Sequence, residues 1–214
     1  ATLSKEFNPN IKTFSVGFEI DGYSEIDVAK KTAEALGVEN ISYNIKPEEF
    51  IKELPKIIWH LDDPVADPAA IPLYFLARTA REHVTVALSG EGADELFGGY
   101  NIYREPQSLK MFEYIPDMLK KSLMKISMSM PDGMKGKSFI LRGCTPIEER
   151  FIGNAKIYTE EEKADFFKGH SQHVNYRQVT ESIYDYAKNY DDVTKMQYVD
   201  MHTWLKGDIL VKAD

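Results

Sequence analysis

The first half of this chain switches between two hydrophobic periods. Residues 11–18 read as a strand, 26–36 carry apolar side chains at helical spacing, and 41–45 read as a second strand. Ser24, with Asp27 three residues on, marks the start of that helix, and Gly37 marks its end. Strand, helix and strand in this order form a βαβ unit, whose crossover is right-handed and whose strands are parallel. A further helix is expected over 47–60 and another from Pro72 to about His83, followed by a third parallel strand at 84–88. Residues 1–7 place Leu3 and Phe7 at helical spacing with no start signal, as the tail of a helix would. From 105 onward no strand pattern appears. Segments beginning near Pro116, Thr145, Thr159 and Val179 read as helices, and Thr159 with Glu162 has the spacing of a capping box. The expected fold is therefore α/β: a Rossmann-like parallel sheet with flanking helices over 1–104, followed by a mostly helical half, 105–214, of the same domain. That half is expected to cover the loop described next.

The run from Val84 to Tyr100, Val-Thr-Val-Ala-Leu-Ser-Gly-Glu-Gly-Ala-Asp-Glu-Leu-Phe-Gly-Gly-Tyr, joins the expected third strand to a small-residue loop and then to acidic side chains. Ligands of open α/β sheets sit at the carboxyl ends of strands, where backbone N–H groups converge on anions. Glu91, Asp94 and Glu95 lie at that end and would repel a phosphate unless a cation stood between them. The loop thus predicts phosphate together with Mg²⁺. A Walker A loop is excluded because no Lys follows to reach the phosphates. A dinucleotide fingerprint would need Gly where Glu95 stands, and a hydrolase nucleophile elbow would need Gly where Ala87 stands. Ser89 is read as a phosphate ligand rather than a nucleophile.

This run closely resembles the synthetase-domain loop of the glutamine-hydrolysing asparagine synthetases. The resemblance extends to Thr13-Phe-Ser-Val-Gly-Phe18, to Asp62-Asp-Pro-Val-Ala-Asp-Pro68 and to Trp204-Leu-Lys-Gly-Asp-Ile-Leu-Val-Lys-Ala-Asp214, and is weakest between about 105 and 190. It implies an ATP-pyrophosphatase type of domain, similar to the adenine nucleotide alpha-hydrolases. Such a domain joins aspartate, ATP and ammonia to give asparagine, AMP and pyrophosphate. The resemblance gives Val16 a backbone role in holding adenine, with Gly17 letting the ring approach closely. It assigns Ser89 and Gly90 to the nucleotide and Glu91 to intermediate formation and proton removal. Asp94 is placed beside Mg²⁺ and substrate, and Tyr100 in the substrate site. Taken alone, Val16 would be a core strand residue, Ser89 and Gly90 a tight turn, and Asp94 with Glu95 a helix-terminal charge pair.

The family's Ser-Gly-Gly-x-Asp-Ser loop, which binds pyrophosphate and Mg²⁺, does not occur in these 214 residues. The chain is therefore read as a piece of a longer enzyme, inactive by itself. The ammonia-producing glutaminase domain, with its N-terminal Cys nucleophile, is expected elsewhere in that enzyme, since Cys144 cannot stand in for it. A homodimer is expected by family analogy. Two other readings stand beside this one: a nucleotide- or partner-binding module without catalysis, and a related amide-forming enzyme such as a β-lactam synthetase.

Composition narrows the picture further. With 43% hydrophobic residues the chain can bury a core, and its net charge of −8 argues against a nucleic-acid surface. No apolar run approaches the roughly 20 residues of a membrane span. The lone Cys144 forms no internal disulfide, which fits a reducing cytoplasm. Asp62, Asp63 and Asp67 are read as helix-start architecture rather than a metal cluster, and His170 with His173 as exposed side chains. Six of the eight methionines fall between 111 and 134 among lysines, a pattern of core filling in preference to a membrane-binding helix. The roles of Lys212 and Asp214 stay open.

Overall fold

The computed structural model describes residues 1–214 except 20–23, 62–64, 66, 132, 155, 172 and 214, with Glu161 described in its backbone only. Strands β1 (Lys12–Phe18) and β2 (Glu39–Ile45) pair in parallel, with Lys12 opposite Glu39 and Phe18 opposite Ile45. Helix α1 spans Thr2–Phe7, α2 Ile26–Leu36, α3 Pro47–His60, α4 Ala70–Arg81 and α5 Ala93–Phe97. Then follow α6 (Glu105–Leu109), α7 (Asp117–Ser129), α8 (Lys137–Cys144), α9 (Ile147–Arg150), α10 (Glu160–Phe166), α11 (Arg177–Tyr186) and α12 (Asp192–His202). The chain divides into two compact units, Ala1–Ser89 with Val211–Asp214, and Gly90–Leu210. The division falls inside the loop, ahead of the change in composition at 104–105.

In the first unit the expected βαβ arrangement is present. The start of α2 differs from its reading: Glu25 is the N-cap, and the Ser24 hydroxyl accepts only a long bond from the Ile26 N–H, at 3.4 Å. Pro47 opens α3, where the missing N–H costs nothing. The apolar faces of α3 and α4 meet the sheet in a cluster of Ile45, Ile57 and Phe75, with Val16, Phe18 and Tyr43 packed around it. The Arg78 guanidinium lies 5.3 Å from the Tyr43 ring and 4.7 Å from that of Phe75, and pairs with Glu49. Tyr43 donates to the same Glu49, which holds that carboxyl below its usual range.

Residues 84–88 do not form the third strand. A strand persists only as one side of a ladder, and this segment pairs with no strand among the described residues, so the sheet has two strands. Val86 and Leu88 consequently stand exposed.

In the second unit, Tyr103, Ile147, Phe151, Tyr184, Met196 and Val199 form the main core, gathered around α12. A second cluster joins Leu109, Phe112 and Cys144 to Leu123, Met124 and Ile140 of α7 and α8. Ser127, fully buried, donates to the Lys137 carbonyl at 3.1 Å and ties that helical pair together. Glu105 is buried between Arg142 and Arg150, at 3.0 and 3.1 Å, so its charge is met on both oxygens. The expected capping box is present: Glu162 N–H donates to the Thr159 hydroxyl and Thr159 N–H to the Glu162 carboxylate.

Core filling by methionine is limited. Met124 packs into the second cluster, whereas Met111, Met118, Met128 and Met134 are exposed. Of these, only Met118 and Met128 belong to α7.

Gly143 of α8 lies against the Phe112 ring, and a Cβ there would come within 2.4 Å of it. Gly143→Ala should therefore destabilise the protein by about 1–3 kcal/mol through overpacking, although helix propensity alone favours Ala by about 1 kcal/mol. Urea denaturation reads the sign, and a variant more stable than the parent would contradict this packing.

Candidate active site

The acidic loop is shaped by two glycines. Gly92, buried at the N-terminus of α5, has φ +85°, and Gly98 at its C-terminus has φ +71°, backbone settings that a Cβ disfavours. Between them α5 turns one acidic side chain out and the next inward. Asp94 is exposed and Glu95 is 1% exposed. Glu91, just before Gly92, is exposed as well.

Asp94 leans over Gly99, where an added Cβ would lie only 1.9 Å from its Oδ1, and the Gly99 N–H donates to the Asp94 carbonyl at 2.9 Å. The Glu95 carboxylate accepts the Tyr100 hydroxyl at 2.7 Å. Burial, followed by that carboxylate, pushes the Tyr100 phenol far up, and a bond with Trp204 pulls the other way. Tyr100 thus spends its proton on Glu95, leaving its ring as the part that could face a substrate.

Behind this pair lies a feature that sequence reading missed. Asp200, at 0% exposure on α12, accepts from the Tyr103 hydroxyl at 2.7 Å, the Asn154 backbone N–H at 2.9 Å and the Asn154 side-chain amide at 2.8 Å. Burial raises its carboxyl above the usual range, Tyr103 and Asn154 oppose that rise, and the Glu95 charge adds to it. The available signal was the spacing of Tyr100 and Tyr103 after Glu95. Nothing local in sequence connects them to Asp200.

Of the residues singled out from sequence, Gly90, Glu91, Asp94 and Tyr100 belong to the second unit, while Val16 and Ser89 belong to the first. Val16 pairs opposite Tyr43 and packs into the sheet–helix cluster. Open space above Gly17 is not observed: an added Cβ would meet the Ser24 hydroxyl at 2.3 Å and Ile26 at 2.9 Å, so the start of α2 occupies that face. Gly90 accepts the Ala93 N–H at 3.2 Å and has nothing within 4 Å of an added Cβ.

The Asp67 carboxylate accepts the Ala69 N–H at 2.9 Å just ahead of α4, whose N-cap is Ala69 with no side-chain cap bond, and Lys212 pairs with Asp67 at 2.5 Å. Asp62, Asp63 and Asp214 lie outside the described residues. His173 is exposed, but His170 is half-buried. Burial pushes the Cys144 thiol up, away from the thiolate a nucleophile requires. A cavity of about 660 Å³ opens over Leu109, Phe112 and Cys144, away from the loop.

The donor set fits Mg²⁺ that arrives with a nucleotide. Mg²⁺ takes one or two carboxylates plus phosphates and water; Asp94 and Glu91 are exposed, while Glu95 is turned inward. Among the described residues no group of three His, Cys, Asp or Glu side chains converges on a cation.

Because the Asp200 carboxyl titrates above its unfolded range, the folded state holds that proton more tightly. The stability this contributes is full below about pH 4 and is lost as pH rises through the raised value. Comparing urea denaturation of the parent with Asp200→Asn across that window, the parent should lose ground to the variant as pH rises. A difference that is flat, or that moves in the parent's favour, would contradict the buried acid.

The chain is 62% identical over 213 residues to "Asparagine synthetase [glutamine-hydrolyzing] 1" of Bacillus subtilis, covering all of this chain and 34% of that protein. It is 50% identical over 214 residues to "Putative asparagine synthetase [glutamine-hydrolyzing]" of Mycobacterium bovis, covering 33% of it. A protein of Methanocaldococcus jannaschii, "Putative asparagine synthetase [glutamine-hydrolyzing] 2", is 33% identical over 110 residues, about half of this chain and 21% of its own length. The chain thus spans about a third of the length of the B. subtilis and M. bovis relatives. With the asparagine synthase family model matching residues 1–214 from end to end, the chain belongs to the asparagine synthase family.

Proposed function

We propose that the protein containing this chain makes asparagine by ATP-dependent amide synthesis, and that this chain supplies the loop where the amide forms. The β-carboxylate of aspartate attacks the α-phosphorus of ATP, pyrophosphate leaves, and β-aspartyl-AMP results. Ammonia then attacks the acyl carbon and AMP departs with one carboxylate oxygen. As nitrogen bonds to carbon it must shed a proton, and a carboxylate held at the reacting centre can take it. Glu91 is the residue assigned to that step.

The observation that carries this reading is the exposure of Glu91 on a loop otherwise built of small residues, in a chain matched throughout by the family. In the same reading Ser89 and Gly90 hold the nucleotide phosphates, the Val16 backbone holds adenine, and Asp94 and Tyr100 border the aspartate. With Gly17 covered by α2, adenine is met by strand backbone at Val16 rather than by space over the glycine. Mg²⁺, when bound with ATP, would neutralise phosphate charge beside Asp94. The two whole-chain relatives are named as glutamine-hydrolysing. Ammonia is accordingly assigned to glutamine hydrolysis in a glutaminase domain of the same parent chain, acting in the cytoplasm as a homodimer.

Supplying ATP, aspartate and ammonia to the full-length protein should yield asparagine and AMP in equal amounts. Glu91→Gln should lower that rate by about 10²- to 10⁴-fold, the usual cost of losing a general base, in a variant whose folding stays nearly intact. A variant running at the parent rate would remove Glu91 from the chemistry.

A further inference from the structure

We propose that Tyr103 and Asp200 are positioning residues that seat α5, and with it Glu91 and Asp94, for amide synthesis. The argument begins with length. Five residues make too short a helix to persist by propensity, so α5 must be held from outside. Its last carbonyls are met by one side chain: the Gln197 amide of α12 donates to the Glu95 carbonyl at 2.9 Å and to the Leu96 carbonyl at 3.2 Å. Its inward carboxylate is met by Tyr100, whose ring lies 5.7 Å from that of Tyr103.

Tyr103 in turn donates to Asp200, fixed by both nitrogens of Asn154. The backbone reaches Asp200 at that point because residue 153 is Gly, where an added Cβ would lie 3.0 Å from the Thr203 hydroxyl and 3.4 Å from Asp200. The chain of contacts therefore runs from the 153–154 segment through Asp200, Tyr103, Tyr100 and Glu95 into α5. Neither carboxylate has a Lys, Arg or His partner among the described residues. Each depends on hydroxyl and amide donors, and losing one donor leaves a buried charge short of a partner. The least constrained response is for α5 to move outward, since Leu96 and Phe97 are already exposed. Movement there displaces Asp94 and the loop before it. A displacement of about 1 Å at a reacting group can cost on the order of a hundredfold in rate.

Tyr103 is buried and does not reach the exposed face of the loop, so Tyr103→Phe removes one hydroxyl without touching substrate. In the full-length protein, amide hydrogen exchange over 91–97 should speed up by about tenfold while α7 and α8 keep their protection. The kcat for asparagine should fall at least about tenfold, with the KM for ATP unchanged. The double variant Tyr103→Phe with Asp200→Asn should lose no more than the worse single variant, because the two act as a pair. Exchange that rises evenly over the whole second unit, or unchanged kcat in a folded variant, would overturn the proposal. If Tyr103→Phe fails to fold, Asn154→Ala weakens the same carboxylate from outside α5 and should give the same local pattern. The kinetic arm rests on the proposed reaction. Should the parent make no asparagine, that reading fails, while the exchange arm still decides whether the pair seats α5.

Discussion

Two carboxyl groups are buried between a five-residue helix and α12 with no cation beside them among the described residues, and the second unit is organised around satisfying them. Tyr100 serves Glu95, and Tyr103 with Asn154 serves Asp200. An unmet buried carboxylate costs several kcal/mol in effective terms, so the positions of these donors are not negotiable. They explain why Tyr100 and Tyr103 lie in tilted contact and why residue 153 is glycine. The core of Ile147, Phe151, Tyr184, Met196 and Val199 gathers around the same helix, α12. The acidic loop is thereby sorted into a buried Glu95 and an exposed Asp94 and Glu91.

The first unit rests on close approach rather than on buried charge. Gly17 admits the start of α2 onto the strand, and Val16 turns its side chain into the cluster around Phe75. That arrangement makes β1 a covered strand whose useful groups are backbone. The space over Gly17 is taken by Ser24 and Ile26.

Much of this was legible locally. The runs giving β1, α2, β2 and α3 carry local period signals, with Gly37 closing α2 and Pro47 opening α3, and the structure follows them to within about two residues at each end. Thr159 and Glu162 were readable for the same reason, since a capping box is complete within four residues. What sequence could not supply was long-range partnership. Residues 84–88 have strand composition, yet a ladder needs a neighbour and none is present among the described residues. Helix α12 escaped notice because Asp200 sits on its buried face and breaks the apolar period that marks a core helix. Glu95 looked like one more helix-terminal charge, and only its contact with Tyr100 distinguishes it from Asp94. The loop motif itself was legible because its glycines and carboxylates are contiguous, and the match of the family over 1–214 bears out the resemblance.

The central claim is that the loop from Ser89 to Tyr100 serves a reaction in which a carboxylate is joined to AMP before an amide is made. Isotope transfer tests it most directly. Aspartate labelled with ¹⁸O in its β-carboxylate would be supplied with ATP and ammonia to the full-length protein, and the nucleotide product analysed by mass spectrometry. The account predicts one ¹⁸O atom in each AMP, carried over when ammonia displaces it from the acyl carbon. Label in inorganic phosphate with ADP as the nucleotide product, or AMP free of label, would contradict it.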